Sequence, residues 1–186
     1  MSEWVKAILF VVGAAFADSL VFGRGLGGEA ALGASGHLGR SLRVGLATSA
    51  MLLVSVPLAR LAQLYILAPL GAEYLTILVA ALIGALVARA LGGIAYFAPA
   101  RGALYMGSLW LGAALAAIRA EYGVVYSLLY GLFGGVGFLA AALMLAAMRE
   151  RLDLSDAPAA MKGLPLAILS LGLIAMAFAG LAGVAR

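Results

Sequence analysis

The chain has 186 residues, of which 66% are hydrophobic and 11% charged, with a mean hydropathy of +1.14. Soluble domains run nearer half apolar and a quarter charged, so a water-soluble globular fold and a soluble catalytic domain are excluded. With no cysteine and one histidine, His37, disulfides, thiolate-held metals and histidine-rich metal sites are excluded within the chain. The 12 Lys and Arg against 8 Asp and Glu form no basic run interleaved with aromatics, so the excess reports membrane orientation and not nucleic-acid binding.

The first apolar run covers residues 5–22, with Lys6 at its start and Asp18 near its end. Ala15-Phe16-Ala17 before Asp18 resembles a signal-peptide cleavage site, but such spacing recurs by chance in Ala-rich helices, and a retained span is the preferred reading. A glycine-rich segment, residues 23–40, follows, with five glycines between Gly23 and Gly33. Each glycine costs about 1 kcal/mol against alanine in a helix, so irregular backbone is expected there. The second run, residues 44–68, carries Pro57, Arg60 and Gln63, and Pro69-Leu70-Gly71 reads as a turn. The third run covers residues 74–91. The fourth, residues 94–118, is broken by Pro99, Arg101, Gly102, Gly107 and Gly112. The fifth covers residues 124–148 and the sixth residues 164–184, separated by the polar loop RERLDLSDAPAAMKG.

A transmembrane helix needs about 20 apolar residues, and the layout predicts an all-α membrane protein of six such helices in a single transmembrane domain, residues 1–186. Two halves, roughly 1–92 and 93–186, each hold an interrupted span, a long span and a regular span. Three spans per half forces opposite topologies, and inverted repeats with broken helices at matching positions, here the first and fourth, point to a site near the midplane. With the N-terminus outside, the inner segments hold Arg24, Arg40, Arg43, Arg89, Arg101, Arg149, Arg151 and Lys162. The outer segments hold Lys6, Arg60, Arg119 and Arg186. That imbalance predicts both termini on the outer side.

Within this layout Asp18 is an ionisable group inside a span, costly there and functional by default. Arg24, six residues on, is its candidate partner on an ion path, against a purely structural pairing. Glu29 and His37 read as solvated residues of the glycine-rich segment, and Arg101 as an anchor at the inner edge. A hydroxyl such as Ser108 ordinarily bonds back to a helix carbonyl. Gly131 and Gly135 form a G-x-x-x-G pattern that serves close helix packing.

Several segments together resemble a known family. VGLATSAML (44–52) resembles the GLATT stretch of the A subunit of the Rnf electron-transport complex, whose family includes the E subunit of the sodium-translocating NADH:quinone reductase. LLYGLFGGVGF (128–138) resembles its LYG…VGF helix, and residues 148–163 its I-R-E-R-L…D-x-P…G loop. The Leu67-Ala68-Pro69-Leu70 segment and the closing helix match in order and spacing. The resemblance implies six helices in two inverted halves with both ends outside. It also implies a [2Fe–2S] cluster held in mid-membrane with a paralogous partner subunit, through one cysteine in an L-G-x-C-P segment and another in T-N-C-A-x-x-G. Here Glu29 follows Leu26-Gly27-Gly28, and Ser108 opens Ser108-Leu109-Trp110-Leu111-Gly112, so the former ligand positions hold no thiol. Asp18-Ser19 and Arg24 stand where the family shows Asn-Asn and Lys.

The expected function is therefore an integral membrane subunit of an Rnf/Nqr-like ion-translocating oxidoreductase complex. It would carry no cofactor of its own, catalyse no reaction alone, and sit in a prokaryotic plasma membrane beside the lipid bilayer, a paralogous membrane subunit and the other subunits. The alternative is a small secondary transporter or orphan membrane protein on the same scaffold, which the loss of both cysteines favours.

Overall fold

The computed structural model describes residues 26–34, 36–105, 108–153 and 162–184, and among these the regular structure is entirely helical. The expected first span, with Asp18 and Arg24, lies outside the described residues, as does most of the loop between the last two helices.

The helices are α1 (Gly28–Ala34), α2 (Leu38–Ala62), α3 (Thr76–Gly92), α4 (Arg101–Tyr105), α5 (Ser108–Arg119), α6 (Val124–Asp153) and α7 (Leu164–Val184). Among the described residues three stretches are long and apolar enough to cross a membrane, Leu38–Leu70, Arg101–Arg119 and Val124–Leu152. Thr76–Gly92 and Leu164–Ala177 are shorter apolar helices. Large apolar side chains face outward along them, among them Leu78, Leu82 and Leu86 on α3 and Leu169 and Leu173 on α7. Helices apolar on the outside as well as the inside are suited to lipid, where every backbone group must be satisfied within the segment.

Several sequence expectations change in detail. The second run does not end at Ala68, because α2 passes Pro57, continues through a π-helical turn (Gln63–Leu67) and closes with Ala68–Leu70. Gly71, in the left-handed region at φ 64°, stops it, as a residue without a Cβ does at no steric cost. The fifth run extends beyond Met148 to Asp153. Arg149, Glu150 and Arg151 are good helix formers, and the Glu150 carboxylate accepts the Leu38 N–H at 3.0 Å, tying the end of α6 to the start of α2. The fourth run is irregular at its start, where a 3₁₀ stretch (Ala95–Ala100) precedes α4 and α5.

The seam between α2 and α6 is the centre of the molecule. A Cβ on Gly131 would stand 2.6 Å from the Leu52 carbonyl oxygen, and one on Gly135 would stand 2.8 Å from the Ser49 Cα. Gly131 and Gly135 thus pack a neighbouring helix, as the G-x-x-x-G pattern predicts. The contacts are reciprocal: Gly45 lies against Leu139, Gly131 against Leu52 and Leu53, and between them the Ser49 hydroxyl donates to the Gly135 carbonyl at 2.7 Å. Gly45 and Gly131, and likewise Leu53 and Leu139, are separated by the same 86 residues as Ser49 and Gly135. Around this seam Met51, Leu52, Val56, Leu104, Leu109, Phe138 and Leu145 are fully buried. Against its flank α3 meets α5, where Gly84 leaves room for the Trp110 ring and nothing larger than hydrogen fits at position 84.

Candidate functional site

The start of α1 meets α5 beside the seam. Gly27 has φ +78°, a conformation glycine adopts without steric cost. This turn aims the chain into α1, whose first internal bond runs from the Ala31 N–H to the Gly27 carbonyl at 3.0 Å. Glu29 lies in the first turn of α1, where a negative side chain is favoured by the aligned peptide dipoles. Ser108 lies on α5.

Although 79 residues apart, the two side chains meet: the Ser108 hydroxyl donates a hydrogen bond to Glu29 Oε1. The same hydroxyl accepts the Gly27 backbone N–H at 3.0 Å. A donor–acceptor chain therefore runs from the Gly27 amide through Ser108 to the Glu29 carboxylate, each link polarising the next. Apolar packing supports it on both sides. Gly27 sits against Leu109, where an added Cβ would lie 3.0 Å from the leucine Cβ, and Gly112 sits against Leu26. Leu109 is fully buried, whereas Glu29 and Ser108 lie at the exposed edge of the junction.

Two sequence expectations are corrected here. Glu29 is not in a loop, because the glycine-rich segment turns helical from Gly28. Ser108 does not bond back along the helix that carries it: its hydroxyl donates to Glu29 instead. The ordinary behaviour occurs instead at Ser49, which also donates to the Gly45 carbonyl, and at Ser170, which donates to Leu166. His37 stands at the N-terminal boundary of α2 without capping it through its side chain. Arg101 is exposed, and its Nε donates to the Gly92 carbonyl at 2.7 Å, holding α4 to the end of α3.

A second polar cluster was invisible to pattern reading. Arg60, counted in the sequence only as an outer charge, is 7% exposed. Its Nε donates to the Tyr122 carbonyl at 2.7 Å and its Nη1 to Gln63 Oε1 at 2.6 Å. It clamps the α5–α6 connection to α2 immediately before the π-helical turn. The only signal in the sequence was an arginine three residues before a glutamine inside an apolar run.

The donor chemistry at the Glu29–Ser108 junction does not suit an iron–sulfur cluster. Such clusters are held by cysteine thiolates, with histidine as the usual substitute, and carboxylate and hydroxyl oxygens are harder donors. Ser108 already donates one bond and accepts another. The single histidine, His37, is eight residues beyond Glu29. Among the described residues no group of three or more His, Cys, Asp or Glu side chains gathers.

Comparison with known proteins gives a full-length match. The family model described as "Rnf-Nqr subunit, membrane protein" covers residues 7–185. The A subunit of the ion-translocating oxidoreductase complex of Vibrio parahaemolyticus is 30% identical over 198 residues, covering 100% of both chains. The protein of that name from Vibrio atlanticus is 30% identical over 191 residues, covering 96% of this chain and 98% of the relative. That of Pseudoalteromonas atlantica is also 30% identical, covering 96% and 97%.

Proposed function

Because this chain belongs to the Rnf-Nqr family of membrane subunits, we propose that it works as a scaffold and ion-path subunit within such a complex, in a prokaryotic plasma membrane. Its place in an ion-translocating oxidoreductase complex follows from the family; the particulars below are proposed. The chain has six spans in two inverted halves, roughly 1–92 and 93–186, with both termini outside, and it pairs with a paralogous membrane subunit. Asp18 and Arg24 are the candidate ion-path residues.

The observation that carries this reading is the meeting of Glu29 and Ser108. The two positions that the family resemblance identifies as cluster-ligand positions come together from opposite parts of the sequence, as two half-sites on a shared scaffold must. Two further observations support it. The contacts of the α2–α6 seam map onto one another under a shift of 86 residues, Gly45–Leu139 onto Gly131–Leu53, as expected of inverted halves. The Leu38–Glu150 bond draws Arg40, Arg43, Arg149 and Arg151 toward one end of the molecule, while Arg60 is fixed to the connection after α5, in keeping with a basic inner end.

The test is purification from the native membrane under mild detergent. Other membrane subunits of a redox complex should co-purify in fixed ratio. Recovery of a lone, stable chain, with neighbouring genes unrelated to redox complexes, would favour the transporter reading, to which the absence of both cysteines already lends weight. Orientation is separable from this. Since the chain has no cysteine, Ala159→Cys can be probed with an impermeant thiol reagent on intact cells. The proposed topology predicts protection, and labelling from outside would reverse it.

A further inference from the structure

We infer that the Glu29–Ser108 pair is a metal-free tether that closes the start of α1 onto α5, so that this chain's side of the junction holds itself together and passes no electrons. The inference deepens the proposed function and rests on the family's two ligand positions being Glu29 and Ser108.

Three features carry it. First, the Ser108 hydroxyl uses its single proton on Glu29 and one lone pair on the Gly27 amide. Its bonding therefore already links α1, the turn before α1, and α5. Ligating iron as an alkoxide through this oxygen would require giving up the proton that bonds Glu29. Second, the backbones are drawn together by packing that needs no bridging atom: Gly27 against Leu109 on one side and Leu26 against Gly112 on the other. Third, the carboxylate belongs to the first turn of α1 and receives its hydroxyl from α5. A negative charge is favoured beside such a helix start. A thiolate–iron centre would bring negative charge to this place, and Glu29 supplies a charge of the same sign without a metal. The substitutions thus keep the electrostatic and tethering roles of the position while removing the redox one.

The experiment is a double-mutant cycle on the purified chain alone, which needs no partner and is independent of whether a complex co-purifies. Thermal unfolding in detergent is measured for wild type, Glu29→Ala, Ser108→Ala and the double variant, with Glu29→Gln as the conservative control. Amide hydrogen exchange at Gly27 is followed in parallel. Each alanine variant should lower the melting temperature by roughly 2–4 °C, the shift that about 1 kcal/mol gives in a chain of this size. The double variant should fall no further than the worse single one, and Glu29→Gln, which keeps an acceptor in place, should lose less. Gly27 exchange should quicken in Ser108→Ala. Should a variant fail to accumulate, the cycle between Glu29→Gln and Ser108→Thr, read by Gly27 exchange, decides the question. Additive losses, no loss in either single variant, or Gly27 exchange indifferent to Ser108 would overturn the tether. Failure of subunits to co-purify with an intact cycle would instead count against the complex and leave the tether standing.

Discussion

Along the α2–α6 seam the helices approach until one added methyl group would strike backbone at Gly131 or Gly135. At the α1–α5 junction two helices are joined by one hydroxyl and one carboxylate at an exposed edge. The first contact is steric and admits almost no substitution. The second is polar and directional, and its partners can be exchanged without collapsing the fold. A membrane protein gains little from hydrophobic burial between helices, since lipid is as apolar as leucine, and so relies on close packing of small residues and on hydrogen bonds. The seam uses mainly the former and the junction mainly the latter. Chemistry can therefore change at the junction while the seam keeps the scaffold.

The comparison is broken most severely at the seam. Gly131→Val places a branched side chain against the Leu52 carbonyl, and overpacking of that kind costs about 1–3 kcal/mol, occasionally more. We expect the largest loss of melting temperature and of folded yield there, read by size-exclusion chromatography in detergent. A Gly131→Val chain as stable as wild type would mean the helices are not so close. Next comes Arg60→Ala. It removes two hydrogen bonds from a charged donor, to the Tyr122 carbonyl and to Gln63, and hydrogen bonds of that kind contribute about 1.5–3 kcal/mol. Arg60→Lys, lacking the guanidinium fork, should restore only part, and full rescue by lysine would reduce the clamp to simple charge.

Smaller again is Ser108→Ala, at about 1 kcal/mol for an ordinary intramolecular hydrogen bond, measured by the same melts. A loss as large as that at Gly131 would make the junction part of the rigid core. At the bottom of the scale is Gly33→Ala on α1. Position 33 has open space around it, and alanine is the better helix former by about 1 kcal/mol. The melting temperature should stay level or rise slightly, and a clear drop would show that α1 is packed more tightly than its contacts indicate.

How much was legible in the sequence follows the same division. Long apolar runs announce helices in lipid because no other open backbone is tolerated there. The Gly131 and Gly135 spacing announced a packing face because small residues four apart share one side of a helix. The α1–α5 junction was legible only as a pair of positions within a family pattern. That Glu29 and Ser108 touch depends on how two chain segments 79 residues apart are laid together, which neither local periodicity nor composition encodes. Helix propensity pointed the wrong way at Glu29, where tertiary packing of Leu26 and Gly27 against α5 makes a short helix from a glycine-rich stretch. Arg60 was opaque for a related reason: a charge in an apolar run looks the same whether it reaches toward water or holds a distant carbonyl.

The most direct test of the claim that this scaffold carries no metal at its junction is the iron content of the chain purified anaerobically with whatever membrane partner accompanies it. It should be measured together with visible absorption and paramagnetic resonance after reduction, in wild type and in the Glu29→Ala, Ser108→Ala double variant. The predicted result is that iron and spectra, whatever the partners contribute, are the same in both preparations. Stoichiometric iron with a reducible [2Fe–2S] signal that disappears in the double variant would contradict it.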